Sequence, residues 1–179
     1  MRYNRHYDKY HYRGCLRQQC VNTGPLTMPQ FDESAKAARE LVKDPRLKNV
    51  KKIFAAGCGD SNIVSYAIRG AFDKYLPDVD FEPVEAIELS QFRFEGEGMF
   101  ENTLGILTSV SGKIHRTIES VRACKKHGIT TVAVTNTPTS QTAHEADLVL
   151  FANTPPGDHD AGLRSYYASV ISCTVLAEL

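Results

Sequence analysis

The sequence predicts an α/β protein: a three-layer αβα sandwich around a five-stranded parallel, flavodoxin-like sheet. Short apolar runs alternate along the chain with amphipathic stretches of helical period, as in βαβ units. The runs are apolar throughout, which is typical of parallel strands covered on both faces. The 179 residues are enough for one complete core, and right-handed crossovers then give a doubly wound sandwich.

Each element has its own local signal. Phe31, Ala35 and Ala38 recur at helical spacing before Pro45, so residues 31–43 are predicted to form an outer helix. Gly128 stands where a helix C-cap glycine belongs. The predicted strands are 51–57, 84–87, 104–109, 130–135 and 148–151, and the later predicted helices are 63–75, 114–124, 139–145 and 162–179.

The composition argues against several classes of protein. With 21 basic and 21 acidic residues the formal net charge is zero, so no overall field favours nucleic acid or an anionic membrane as a partner. We find no apolar stretch of membrane-spanning length and no signal peptide. The five cysteines form no CxxC pair and no even disulfide framework, which favours reduced thiols in a cytoplasmic protein.

Residues 1–50 are expected to form an N-terminal arm and the outer helix, and residues 51–179 the sandwich domain. Basic residues alternate with tyrosine and histidine in the first twenty positions. Such a pattern is able to contact RNA or phosphate, but so short an arm supports no binding claim alone. We expect it to pack on a neighbouring subunit or to stay mobile.

Three candidate loops follow predicted strands: Gly57–Ser61, Ser109–Lys113 and Thr135–Asn136. The carboxyl ends of parallel strands share one edge of a sheet, and ligands bind there near the switch in strand order. The three loops are therefore predicted to converge on one rim. In the first, the glycines permit a tight turn and Ser61 is positioned to cap the following helix. It is a poor dinucleotide fingerprint, because the third glycine position is Asn62.

The Ser-Val-Ser-Gly-Lys turn at 109–113 carries the most specific signal. Ser109 and Ser111 are one residue apart, so both hydroxyls can face a ligand if the turn curls around it. Gly112 lets the backbone approach closely, and the amides of residues 110–113 precede a helix N-terminus. Such a junction favours an anion, most often a phosphate. The alternative interpretation is a plain helix-capping turn.

A second candidate set lies at Asp158-His159-Asp160 and Arg164. A carboxylate, an imidazole and a guanidinium would supply a base, an acid and an anion clamp; a solvated loop with a helix cap is the alternative. Asp-x-Asp with one histidine is not a specific ligand set, so no metal is expected, and we expect no cofactor. Among the cysteines, Cys58 is the candidate for reactivity, because its turn adjoins a helix N-terminus.

Several segments together resemble a known family. From about residue 51 to residue 179 the chain is similar to SIS (sugar isomerase) domains, which bind phosphosugars. The segments that carry the resemblance, in order, are Gly-Cys-Gly-Asp-Ser (57–61), Glu-Leu-Ser-Gln-Phe-Arg-Phe (88–94), Ser-Val-Ser-Gly (109–112), Val-Thr-Asn (134–136) and Glu-Ala-Asp (145–147). The resemblance implies a five-stranded parallel αβα sandwich.

The resemblance also implies roles for individual residues. It places the sugar phosphate among Ser61, Ser109, Val110 and Ser111. Gly59 and Lys113 join this candidate phosphate site, and Asn136 and Arg164 are further candidates around it. Asp160 would be the base that moves a proton between C1 and C2 of an open-chain sugar, and His159 would assist ring opening.

Two departures from the family pattern matter. The family's Ser-Gly-Glu-Thr is Ser-Gly-Lys-Ile here, so Ile114 lacks a phosphate-binding hydroxyl and Lys113 replaces a carboxylate. The family's catalytic glutamate corresponds to Asp160 when the loop is aligned without a gap to Ser165, which gives a shorter base.

The resemblance favours an isomerase or deglycase acting on a sugar phosphate or amino-sugar phosphate. The alternative is a non-catalytic phosphosugar sensor. The last predicted helix ends without a polar stop, and related enzymes carry a second SIS domain beyond this point. We therefore expect a homo-oligomer or pairing with a second SIS domain.

Overall fold

The computed structural model describes residues 32–33, 36–96, 98–153 and 163–178. These residues contain five strands: β1 (Lys52–Gly57), β2 (Asp80–Glu85), β3 (Thr103–Thr108), β4 (Thr130–Thr135) and β5 (Leu148–Phe151). They form one sheet in the order β2-β1-β3-β4-β5, and every pairing is parallel. The predicted five-stranded parallel sheet, with the flavodoxin strand order, is confirmed.

The helices alternate with the strands. Residues 36–41 are helical and are called α1. The others are α2 (Asp60–Tyr75), α3 (Ala86–Gln91), α4 (His115–Lys126), α5 (Gln141–Glu145) and α6 (Leu163–Val175), with short 3-10 turns at Pro45–Leu47 and Leu176–Glu178. Gly128 follows the end of α4 with φ +74°, as its predicted capping role requires. None of these helices, within the ranges described, is both long and apolar enough to cross a membrane.

The helices cover both faces of the sheet, so the sandwich has the three predicted layers. On one face α2 packs against α6, and on the other α4 packs against α3 and α5. The side chains of β1 divide accordingly: Ile53 and Ala55 join the core under α2 and α6, while Phe54 and Ala56 join the core under α4. Ala38 of α1 is fully buried in the first of these cores.

One strand prediction was wrong. The second strand was predicted at 84–87, but β2 runs from Asp80 to Glu85 and residues 86–91 form α3, a helix the sequence analysis did not predict. Because β2 is an edge strand, it tolerates Pro83 and three acidic residues that central strands rarely accept. Lys52 of β1 holds it through ion pairs to Asp80 (2.7 Å) and Glu82 (2.9 Å).

For the other strands and helices whose ends both lie in the described residues, the observed boundaries are within two residues of the predicted ones. The start of α2 is the exception. β4 and β5 match their predicted ranges, β1 starts one residue later than predicted, and β3 both starts and ends one residue earlier. The last helix leaves α geometry after Val175 and finishes as a 3-10 turn. The α2 helix starts at Asp60, three residues before the predicted start at Ile63. Gly59 is its N-cap residue, and no side chain caps this end of the helix.

Two of the segments that resemble the SIS family, 145–147 and 88–94, stabilise the fold. At the start of β5, the Asp147 carboxylate accepts hydrogen bonds from the Thr131 amide (2.9 Å) and hydroxyl (2.7 Å) and pairs with Lys125 (3.1 Å). Burial alone would raise the pKa of Asp147, but the Thr131 hydrogen bonds and the Lys125 charge outweigh it and hold the pKa below its usual value. In the other motif, Arg93 forms a bidentate ion pair with Glu82.

Replacing Asp147 with alanine is expected to reduce the free energy of unfolding by about 1–3 kcal/mol at pH 7, because the fully buried Thr131 loses its acceptor. A carboxyl whose pKa is lowered by folding stabilises the protein above its unfolded pKa, about 3.9, and loses that contribution as the pH falls. The difference between wild type and Asp147→Ala should therefore shrink below pH 4 in urea unfolding curves.

Asp73→Ala is the matched control, since its ion pair with Arg69 is long (3.5 Å) and exposed. It should change stability by roughly 0.3 kcal/mol. Equal effects of the two substitutions, or a difference that does not depend on pH, would contradict a stabilising role for Asp147.

Candidate functional site

The three predicted loops meet at the carboxyl edge of the sheet. β3 lies between β1 and β4, with Thr108 beside Gly57 on one side and Val134 on the other. The loop after β3 is joined to β4 by hydrogen bonds from the Ser109 amide to the Val134 carbonyl (2.9 Å) and from the Asn136 amide to the Val110 carbonyl (3.0 Å). The predicted convergence on one rim is therefore confirmed.

The helices that follow these strands leave in opposite directions. After β1 the chain turns toward the face that carries α2, while after β2 and β3 it turns toward the face that carries α3 and α4. Crevices therefore open beside the end of β1, where the direction of the connections changes. In open α/β sheets this is the place where ligands bind.

The turn after β3 is held in a fixed shape. Gly112 has φ +60°, a conformation that favours glycine, and its amide donates to the Ser109 carbonyl (3.0 Å). The Gly112 carbonyl accepts from both the amide (3.1 Å) and the hydroxyl (2.9 Å) of Thr142 in α5. The Thr135 hydroxyl donates to the Val110 carbonyl (3.1 Å). Hydrogen bonds to β4 and α5 thus fix the shape of this turn.

The two serines of the turn are in different environments. Ser109 is 1% exposed, and its Oγ has no hydrogen-bond partner in the described part of the chain. Ser111 is exposed, and its Oγ accepts a hydrogen bond from the Lys113 amide (3.3 Å). A buried hydroxyl without a partner is unusual in proteins, and this one lies in the predicted ligand-binding turn.

The α4 helix that follows presents a bare N-terminus. Ile114 occupies the N-cap position, no side-chain cap bond is made there, and the first turn holds no acidic residue. Lys113, immediately before it, is exposed. Free amides, the positive end of a 12-residue helix and an adjacent lysine together favour an anion.

The turn between β1 and α2 leaves no room for a side chain at Gly57. A Cβ on Gly57 would lie 2.6 Å from the backbone carbon of Ser61, so the position requires glycine. Gly59 has φ +57° and is the N-cap residue of α2. The expectation that Ser61 caps this helix was therefore wrong. Ser61 lies in the first turn, half-buried, and its amide donates to the Cys58 carbonyl (3.2 Å).

The described cysteines separate into two kinds. Burial raises the pKa of Cys124 and of Cys173 to about 12, which makes both thiols inert at neutral pH. Cys58 is half-buried at the rim, and its Sγ accepts a long hydrogen bond from the Thr117 hydroxyl of α4 (3.9 Å). This contact links the turn after β1 to the first turn of α4.

The other candidate residues are only partly described. Asn136 is half-buried at the end of β4, and Arg164 is half-buried in the first turn of α6. His159 and Asp160 lie outside the described residues. Within the described ranges no group of three or more His, Cys, Asp or Glu side chains could hold a metal ion.

Two polar residues of the rim were missed by the sequence analysis. Ser140 is 4% exposed and lies against the turn after β3. A Cβ on Gly112 of that turn would overlap the Ser140 hydroxyl. Asn62 is 8% exposed in the first turn of α2. Neither the Ser140 Oγ nor the Asn62 Oδ1 has a hydrogen-bond partner among the described residues. Ser140 had a signal, because serine is a preferred N-cap residue and it precedes α5.

Comparison with known proteins agrees with this geometry. A model of the SIS domain matches residues 46–179. Glutamine–fructose-6-phosphate aminotransferase (isomerizing) of Bradyrhizobium diazoefficiens is 31% identical over 177 residues, which cover 96% of this chain and 28% of that protein. The chain thus spans little more than a quarter of that curated relative.

Solved structures share the fold. A candidate phosphosugar isomerase of Clostridium difficile 630 matches with a TM-score of 0.72 and 20% identity over 83% of this chain and 41% of its own. A candidate sugar-phosphate isomerase of Listeria monocytogenes matches with a TM-score of 0.71 and 20% identity over 94% of this chain and 89% of its own. The family model covers well over half of the sequence, and the chain therefore belongs to the SIS domain family.

Proposed function

We propose that this chain is the phosphosugar-binding domain of a sugar-phosphate or amino-sugar-phosphate isomerase or deglycase. The observation that carries the proposal is the turn after β3. There the buried, unpartnered Ser109 hydroxyl, the glycine turn at Gly112 and the uncapped start of α4 lie together. A phosphate would accept hydrogen bonds from Ser109, Ser111 and the turn amides, with Lys113 adding a positive charge.

The remaining candidates complete the proposed site. Gly59 and Ser61 approach the phosphate from the turn after β1, and Asn136 borders it from the end of β4. Asp160 is the proposed base for proton transfer between C1 and C2, with His159 assisting ring opening. Arg164 is a candidate clamp for the substrate.

The partners follow from the same proposal. The ligand is a sugar phosphate, and the domain works as a homo-oligomer or beside a second SIS domain in the cytoplasm. The relative from Bradyrhizobium, which extends far beyond the matched segment, supports a role within a larger enzyme. The Listeria structure, 89% of which is matched, has the same fold in a chain of about this length.

Ser109→Ala is expected to weaken binding of a hexose 6-phosphate three- to tenfold, as loss of one hydrogen bond of about 0.5–1.5 kcal/mol predicts. Because the hydroxyl has no partner in the described structure, its removal should leave thermal stability unchanged or slightly higher. Titration calorimetry and thermal unfolding on the same samples measure both.

Ser120→Ala is the reciprocal control. The Ser120 hydroxyl is fully buried and lies 2.8 Å from the carbonyls of Ala86 and Arg116, so its loss should reduce stability by about 1 kcal/mol and leave ligand affinity intact. If Ser109→Ala instead destabilises the fold without changing affinity, Ser109 is a structural residue and not a ligand.

Gly112→Ala is expected to abolish phosphosugar binding. The new Cβ would overlap the Ser140 hydroxyl, and φ +60° disfavours any other residue. Gly70→Ala is the control, since its position in α2 has open space among the described residues; helix propensity should stabilise it by up to about 1 kcal/mol. Retained affinity in a folded Gly112→Ala protein would place the phosphate elsewhere.

Asp160→Asn is expected to lower isomerase turnover by about 10²- to 10⁴-fold while phosphosugar binding survives, because removal of a general base affects the chemical step. Asp73→Asn removes the same charge at an exposed position outside the candidate site and should leave turnover nearly unaffected. Wild-type-like turnover in Asp160→Asn would refute its role as the base. Binding without turnover in the wild-type protein would favour the phosphosugar sensor.

A further inference from the structure

A groove lies between α3 and α4, away from the candidate site. It has a volume of about 540 Å³ and is bounded by the end of α3, by the turn after it and by the last turn of α4. Leu89, Phe94 and Ala123 form its apolar floor. The candidate site uses the start of α4, and the 12 residues of this helix separate the two by about 18 Å. We call this surface the α3–α4 groove.

The side chains beneath the α3–α4 groove are held in place by ring contacts. The Phe94 ring stacks on His127, with centroids 4.8 Å apart, and meets the edges of Phe54 (5.7 Å) and Phe100 (5.3 Å). The His127 Nδ1 donates to the Gly98 carbonyl (2.9 Å), which fixes the imidazole ring in turn. The groove is therefore preformed, and a partner binds it without rearranging these rings.

The two most exposed large apolar side chains in the described part of the chain lie beside the α3–α4 groove. Phe92, directly after α3, is 63% exposed, and Met99 is 69% exposed. Met99 lies against Gly128, the residue after His127 of the groove, and a Cβ on Gly128 would be 2.5 Å from its Cε. Single exposed apolar side chains are normal, but two beside an apolar groove indicate a protein-binding surface.

Charges of opposite sign stand on the two walls of the groove. Lys126 belongs to the last turn of α4, and Glu95 to the turn after α3. Neither forms an ion pair within the described ranges. The other basic side chains of α4 all have acidic partners: His115 and Arg116 lie beside Glu119, Arg122 beside Glu145, and Lys125 beside Asp147. The groove therefore presents one available positive charge and one available negative charge.

A second copy of the chain satisfies all of these groups at once. In a two-fold arrangement each surface meets its own copy, so Glu95 of each chain faces Lys126 of the partner subunit. A partner with one sign of charge would instead place a like charge against Glu95 or Lys126. Each exposed Phe92 faces the partner's apolar floor. The groove has several times the volume of a cavity that holds benzene, roughly 150 Å³, so it accommodates a phenyl ring.

We propose that the α3–α4 groove is a two-fold interface between copies of this chain, in which Phe92 enters the partner's groove and Glu95 pairs with Lys126 of the partner subunit. The inference rests on the homo-oligomer of the proposed function and names its surface. It does not rest on phosphosugar binding, because the groove shares no lining residue with the candidate site.

The first test measures self-association of the full chain by sedimentation velocity over a range of concentrations. The wild-type protein should form dimers, and Phe92→Ser should weaken the dimer at least tenfold, since a buried aromatic anchor carries a large share of interface energy. Tyr75→Ser is the matched control. Tyr75 is 61% exposed at the end of α2, outside the groove, and its loss should leave the dimer unchanged.

The second test reverses the charges. Glu95→Lys and Lys126→Glu should each weaken the dimer about tenfold, because each places like charges opposite one another. The double variant restores the opposite-sign pairs and should recover most of the affinity. Lys74→Glu makes the same change as Lys126→Glu on the last turn of α2 and should have no effect.

A monomeric wild-type protein would overturn the inference, as would a dimer that Phe92→Ser and the single reversals leave unchanged. A double variant as weak as the single ones would show that Glu95 and Lys126 do not meet across the interface, and would also overturn it. Titration calorimetry with glucose 6-phosphate on the same samples tests the other proposal separately. Dimers that do not bind the sugar would contradict the phosphosugar function and leave the interface standing.

Discussion

The pairing of β1 with β3 is the constraint on which the rest of the molecule depends. These strands are separated along the chain by α2, β2 and α3, yet they lie side by side through their whole length. Their adjacency puts β2 at the edge and sends the helices after β1 and β3 to opposite faces. It also brings the turn at Gly57–Ser61 beside the turn at Ser109–Lys113. Without this pairing the crevice beside the end of β1 would not exist.

Sequence reasoning succeeded where one local signal was sufficient. β4 consists of Thr-Thr-Val-Ala-Val-Thr, and its β-branched residues predicted both of its ends. It failed where tertiary contacts decide. β2 contains Asp80, Glu82 and Pro83, which disfavour a strand locally; the ion pairs with Lys52 and the edge position stabilise it. The α3 helix has six residues and no side-chain cap, so its packing against α4 maintains it rather than its own sequence.

The candidate site was likewise predicted from the sequence only in part. Spacing was enough to predict that Ser109, Ser111 and Gly112 form a turn at the carboxyl edge of the sheet. It could not predict that Ser109 is buried and Ser111 exposed, because that difference depends on the neighbouring strand β4. Nor could it identify Ser140 or Asn62, whose importance arises from atoms that approach them across the fold.

The distribution of strong polar contacts along the strands has a further consequence. At the amino ends of the strands, Lys52 links β1 to β2, and Asp147 links β4 to β5. At the carboxyl ends, hydroxyls and an amide oxygen stay unpartnered among the described residues. The backbone of the same edge is nevertheless tied down, because the Thr142 hydroxyl donates to the Gly112 carbonyl and the Thr135 hydroxyl donates to the Val110 carbonyl. The sheet is thus braced at both edges, and the unpartnered polar atoms of the carboxyl edge are kept in fixed positions.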